Sequence, residues 1–205
     1  MNVDKLKAAE AHFLSEYPLG FGDPGLAEIA KRHNMSKLVE FAQSTLGPQS
    51  YSNVNETLAN IVRVVSRSSM VSFFEKPKFK SLIDRLDSDQ KAFLVDSFLA
   101  FLHGDQEQGF AGVVDILKEE KLARWSLTTI VPAYYAPTKE VFVKPNTAKG
   151  IIAALEIEDL VYKPQPTWQF YAAYRALILQ MQAQVDPKLS PSNAAFTGFL
   201  MMELL

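Results

Sequence analysis

The chain of 205 residues carries 21 basic and 23 acidic side chains, a formal net charge of −2, 48% hydrophobic residues and no cysteine. That excludes a disulfide framework, a thiolate nucleophile and a zinc site built on sulfur. A chain of this length buries about 70% of the surface it exposes when unfolded, so disorder is excluded as its main state. The charge balance argues against whole-surface binding of nucleic acid and leaves local basic patches open. Asp4, Lys5, Lys7 and Glu10 interrupt the first ten residues, which lack the apolar core of a signal peptide. Ala92 to Leu102 comes nearest to a membrane span but is short and broken by Asp96 and Ser97. A cytoplasmic protein with no membrane partner is expected.

Leu6, Ala9, Phe13 and Tyr17 recur at a helical period, which Pro18 and Gly20 end. Asp23 before Pro24 reads as a helix cap, with Leu26, Ile29 and Ala30 as the apolar face that follows. Met35 to Leu46 reads as a third helix, and Val54, Leu58, Ile61, Val62 and Val65 form the stripe of a fourth. Residues 78–131 hold no proline, which leaves room for long helices; Ala92 to Leu102 is apolar at nine of eleven positions and is expected at the centre of the bundle, with Phe93, Leu94, Phe98 and Leu102 in the core. Phe110, Val113, Val114 and Leu117 mark a further helix. Seven of the eleven prolines then fall at or beyond Pro132 and cut the chain into shorter pieces. Val141-Phe142-Val143 and Leu160-Val161-Tyr162 are β-prone runs on either side of a helix over 147–155, able to pair as a ribbon or to stand as extended loops. Trp168, Tyr171, Ile178, Met181 and Val185 restore a helical stripe, and a last helix from about Asn193 carries almost no charge. The expected fold is mainly α: a multi-helix bundle in a single domain, 1–205, with a short extended or two-stranded excursion around 132–164. A subdivision would fall between 1–124 and 125–205.

Gly20, Gly22 and Gly25 spell G-x-G-x-x-G, the dinucleotide fingerprint, but no strand precedes them, Pro24 has no N–H and Asp23 would repel phosphates. Ile29 and Ala30, Asn34, then Met35 and Ser36 resemble a helix-turn-helix, in which Glu40 stands where an apolar residue is needed; two ordinary packed helices fit better. His12, His33 and His103 are far apart and form no ligand pair, so neither a metal site nor a cofactor is expected. Ser66, Ser68 and Ser69 lack the G-x-S-x-G elbow and read as a polar helix end. Asp96, the lone acid of an apolar helix, reads as a solvent-facing corner or as a buried carboxylate with a raised pKa.

From Arg63 to Lys91 seven basic side chains face four acidic ones, a surplus of three. Arg63, Arg67, Lys76, Lys78 and Lys80 form the candidate basic patch, with Phe73, Phe74 and Phe79 interleaved in F-F-E-K-P-K-F-K. Lysines with aromatics can track a phosphate backbone while bases stack, provided that the rings are exposed. The plainer reading buries the rings and leaves the lysines to solvate a loop around Pro77.

W-S-L-T-T-I-V-P from Trp125, V-F-V-K-P-N-T-A-K ending at Lys149, and Tyr162, Pro164, Pro166, Trp168, Tyr171 and Tyr174 together cover about a quarter of the chain. This set resembles an uncharacterised bacterial protein family with a Trp-x-x-Thr-x-x-x-Pro element, a Phe-Leu-Lys-Pro element followed by threonine, and Tyr-x-Pro-x-Pro. Val143 stands in place of the leucine. The resemblance implies kinship and no activity. On physical grounds, Lys144, Asn146, Thr147 and Lys149 gather at the positive N-terminal end of the helix after Pro145, which is the best anion site in the sequence. The leading functional expectation is therefore a binding module for an anionic or phosphate-bearing partner such as nucleic acid. The rivals are an interaction domain, a homodimer through the C-terminal helix, and an enzyme using a buried carboxylate.

Overall fold

The computed structural model describes residues 1–33 and 35–205, and the side chains of all of these except 30, 32 and 33. Among the described residues the regular structure is helical, with no strand. The helices are α1 (Val3–Glu16), α2 (Ala27–His33), α3 (Met35–Thr45), α4 (Val54–Arg67), α5 (Glu75–Arg85), α6 (Ser88–His103), α7 (Gln106–Glu119), α8 (Trp125–Tyr135), α9 (Pro145–Ala154), α10 (Trp168–Gln182) and α11 (Asn193–Leu204). Their starts follow local chemistry. Asn2, Asn53, Asp105 and Ser192 each accept a backbone N–H three residues on, at 3.0–3.1 Å, opening α1, α4, α7 and α11. Asp87 and Gln90 form a reciprocal capping box at α6, with bonds of 2.8 and 3.1 Å. Such caps each contribute about 1 kcal/mol. Asp23 accepts the Gly25 N–H at 2.9 Å and opens a 3₁₀ turn that leads into α2. Ile29 of that helix is 44% exposed and makes no apolar face; Asn34 and the side chains of Ala30 and His33 lie outside the described residues.

The centre of the bundle is α8, a helix that Pro132 and the β-branched run Thr128 to Val131 conceal in the sequence. Every residue from Leu127 to Tyr134 is buried, so the segment is apolar on all sides as an interior helix must be. It packs on α3, α4, α6 and α7. Pro132 lies inside it, and the helix continues through to Tyr135. α6 is central on one face only: Leu94, Val95, Phe98 and Phe101 are buried, whereas Phe93 is 50% exposed, Leu102 half-buried and Asp96 exposed. The α6–α7 pairing is close because a Cβ on Gly109 would collide with the Phe101 backbone, and one on Gly112 with the Ser97 side chain.

The extended excursion expected around 132–164 is not a ribbon. Val141 and Val143 are buried, but their N–H groups donate to the Tyr171 hydroxyl (3.4 Å) and to Thr129 Oγ1 (3.0 Å), so side chains take the place of a partner strand. Val161, in the other β-prone run, is 73% exposed. At the C-terminus, α11 packs on α1, α9 and α10. Phe196, Phe199 and Leu200 are buried, Phe199 edge-on to Phe13 at 5.3 Å; Met201, Met202 and Leu205 stay at the surface. The near absence of charge in α11 thus follows from burial within the chain.

Candidate functional site

The residues before α5 form the most unusual surface of the protein. Phe73 and Phe74 are 80% and 76% exposed, with ring centroids 6.1 Å apart in an edge-to-face pair. The expected burial of these two rings is corrected here; only Phe79 is buried. The reason is the register of α5. Phe79, Leu82, Ile83 and Leu86 recur at i, i+3, i+4 and i+7 and fill its inward side, leaving no core position for the two rings at its entrance. Pro77 belongs to the first turn of this helix, where its missing N–H is tolerated, and not to a loop. The i, i+3, i+4, i+7 spacing was the sequence feature that would have revealed both points.

The five basic residues of the candidate patch divide. Arg63 turns towards α3, its guanidinium 4.4 Å from the Phe41 ring centroid, and Lys80 pairs with Asp84 at 2.7 Å. Arg67 at the end of α4, and Lys76 and Lys78 in the first turn of α5, have no charged or hydrogen-bonding partner among the described residues; Arg67 and Lys78 are exposed and Lys76 is half-buried. These three bracket the aromatic pair in the chain. From the first turn of α5 a groove of about 400 Å³ runs along the helix, lined by Pro77, Lys78, Ser81, Arg85, Glu120 and Leu122. Arg85 bonds to Glu120 at 3.0 Å on its far side.

The start of α9 is less open than its sequence implies. Lys144 and Asn146 are exposed, but Thr147 is buried and its hydroxyl donates to Met201 Sδ at 3.2 Å. Lys149 lies over the Tyr162 ring at 5.7 Å. Of the four residues expected at this helix end, Lys144, Asn146 and Lys149 are exposed and Thr147 is buried. α9 packs on α11, whereas α5 packs on α4. A hollow of about 600 Å³ near the N-terminus is lined by Asp4, Glu156, Glu158 and Asp159, a charge that repels anions. Lys5 and Asn2 hold the exposed Glu156 carboxyl below its ordinary range through hydrogen bonds.

The motif segment builds scaffold. Trp125 Nε1 donates to the Lys163 carbonyl at 2.8 Å, and the Thr128 and Thr129 hydroxyls donate to carbonyls one turn back in α8. Glu140, 6% exposed, accepts from the Tyr171 hydroxyl at 2.6 Å, from Gln106 Nε2 at 2.9 Å, and from Arg175 Nη1 at 2.7 Å to each oxygen. Arg175 lies 5.5 and 5.4 Å from the Trp168 and Tyr171 ring centroids. Asn193 Nδ2 ties α11 to the Glu140 carbonyl at 2.9 Å. Burial, together with the neighbouring Glu140 charge, pushes the Tyr171 hydroxyl well up; burial alone does so for Tyr174. The Glu140, Tyr171, Arg175, Gln106 and Asn193 side chains already meet protein partners, so the network joins α7, α10 and α11 to the loop after α8 and offers little to a substrate. Asp96 is exposed, so it is a solvent-facing corner of α6 and not itself a buried carboxylate. The Ser68 hydroxyl lies 3.2 Å from Tyr134 Oη inside the fold, and His103 Nε2 lies 2.8 Å from the Leu46 carbonyl.

Comparison of the chain with family models, with curated proteins and with solved structures finds no match. Among the described residues no helix is long and apolar enough to cross a membrane.

Proposed function

We propose that the protein is a binding module for single-stranded nucleic acid, and that the strand lies on Phe73 and Phe74 with its phosphates met by Arg67, Lys76 and Lys78. The observation that carries this reading is the exposure of two adjacent phenylalanine rings beside unpaired cations. Leaving a phenylalanine in water instead of the core forgoes about 1.5–3 kcal/mol, and a fold with a well-filled interior gains nothing from it. Rings stack on any base, and stacking contributes about 1–3 kcal/mol per base. The surplus of three positive charges between Arg63 and Lys91 supplies local attraction on a chain whose total charge is −2. A duplex hides its base faces, so the rings favour a single strand. This face replaces the start of α9 as the leading anion site, because the Thr147 hydroxyl is turned inward to Met201 and α9 sets no exposed aromatic pair beside its lysines.

Fluorescence anisotropy with a labelled oligothymidylate and a duplex of the same length, at two salt concentrations, tests the reading. The expected result is salt-dependent binding that prefers the single strand. Changing Lys76 and Lys78 together to Ala should lower the salt slope by roughly 1.4, two phosphate contacts' worth on a single strand. Absent binding at low salt, or a slope that ignores the double change, contradicts the reading. Attachment to anionic vesicles without attachment to the oligonucleotide would assign the same rings to a membrane surface instead.

A further inference from the structure

Where the first and last helices meet, three side chains from α1 and α11 are brought to one spot. His12 and Glu16 are one turn apart on α1, so they project from the same side of the helix. Glu203 is the only charged residue of α11, and its side chain is just 7% exposed. Its Oε2 lies 2.7 Å from His12 Nδ1. One donor atom from each of His12, Glu16 and Glu203 falls within 4.8 Å of the others.

An ion pair between His12 and Glu203 accounts for two of the three groups. It does not account for Glu16, which has no hydrogen bond or ion pair of its own among the described residues yet sets a second carboxylate beside the first. Nor does it account for the placement of a lone, nearly buried acid on an otherwise uncharged helix. Two carboxylates sharing one imidazole make an electron-rich set that a divalent cation would neutralise. We propose that His12, Glu16 and Glu203 bind a divalent first-row transition ion, of the zinc class, and that the ion fastens α11 to α1. The donor set decides the class: imidazole with carboxylates suits zinc, nickel and cobalt, whereas calcium and magnesium take oxygen ligands. Ligand bonds of roughly 2.0–2.2 Å require these atoms to close slightly around the ion, which the exposed Glu16 and His12 are free to do. Three protein ligands leave a fourth position for water. Because the ion would bind the folded chain and not the separated helices, its binding is also stabilisation.

The test is titration of the metal-free full-length protein with zinc chloride by calorimetry, followed by thermal unfolding with and without one equivalent. Saturable one-to-one binding and a rise in Tm are expected. Glu16→Gln keeps the His12–Glu203 pair and should leave the metal-free Tm unchanged while weakening zinc binding at least tenfold; His12→Gln should abolish it. Magnesium should give no Tm shift. The proposal is overturned if zinc does not bind saturably, or if wild type and Glu16→Gln bind it equally, which would leave a plain ion pair.

Discussion

Phe93 and Phe98 belong to the same helix and differ in what surrounds them. Phe98 is fully buried, so its truncation to Ala removes apolar contact and leaves a cavity, at a cost of about 3–5 kcal/mol. Phe93 is half exposed, and the same change there should cost under about 1 kcal/mol. Urea denaturation of the two variants checks the pair; equal losses would mean that α6 is buried on both faces. Composition alone does not separate these residues, since both sit in a run of nine apolar positions in eleven. Their separation comes from the neighbours: α4, α7 and α8 all pack on α6 and seal Phe98, whereas Phe93 lies at the edge of the contact with α7 and stays half in solvent. The same logic exposes Phe73 and Phe74. Which aromatic is core and which is surface depends on helix register, and that register is readable at Phe79, Leu82, Ile83 and Leu86 even though Pro77 suggests a loop just before them.

Among the elements, those with a clean apolar period were legible: α1, α3, α4, α7, α9, α10 and α11 fall within a few residues of their expected positions. α5 and α8 were not. In α5 a proline sits in the first turn, and in α8 a proline and a β-branched run argue locally for extended backbone, which burial on all sides overrides. The β-prone runs at 141–143 and 160–162 do not pair as a ribbon: no strand occurs among the described residues, and the Tyr171 and Thr129 hydroxyls take up the Val141 and Val143 N–H groups instead. The α6–α7 pair offers a test at this scale. Gly112→Ala places a methyl group against Ser97 where the helices touch, so α7 must move away from α6. A loss of about 1–3 kcal/mol is expected in chemical denaturation. A neutral or stabilising change would show that the two helices have room to spare.

For the whole molecule, tyrosine burial sets the alkaline limit of stability. Burial raises the hydroxyl pKa of Tyr51, Tyr134, Tyr171 and Tyr174 above the ordinary value of 10.0. Below about pH 10 both folded and unfolded chains hold these protons, and the contribution to stability is complete. As pH rises past that value the unfolded chain ionises first, and the contribution is lost progressively as pH climbs through the raised folded values. Tyrosinate absorbance should therefore grow in the same transition that abolishes the helical circular dichroism. Free titration of all tyrosines with the helices intact would contradict the packing described. These residues also show how this segment acts on the whole fold: Trp125, Thr128, Tyr171 and Tyr174 are interior and build the scaffold.

The claim that bases stack on Phe73 and Phe74 is tested most directly by comparing two ligands that differ only in their bases. A single-stranded oligonucleotide and an abasic phosphodiester of the same length carry the same backbone charge, so their affinities for the wild-type protein differ by the stacking contribution. With two rings engaged at about 1–3 kcal/mol each, the base-bearing strand should bind at least tenfold more tightly. The double change Phe73→Ala and Phe74→Ala should bring the two affinities together without altering the fold, since both rings lie outside the core. Equal wild-type affinities, or a preference that survives the double change, would contradict the assignment of this face.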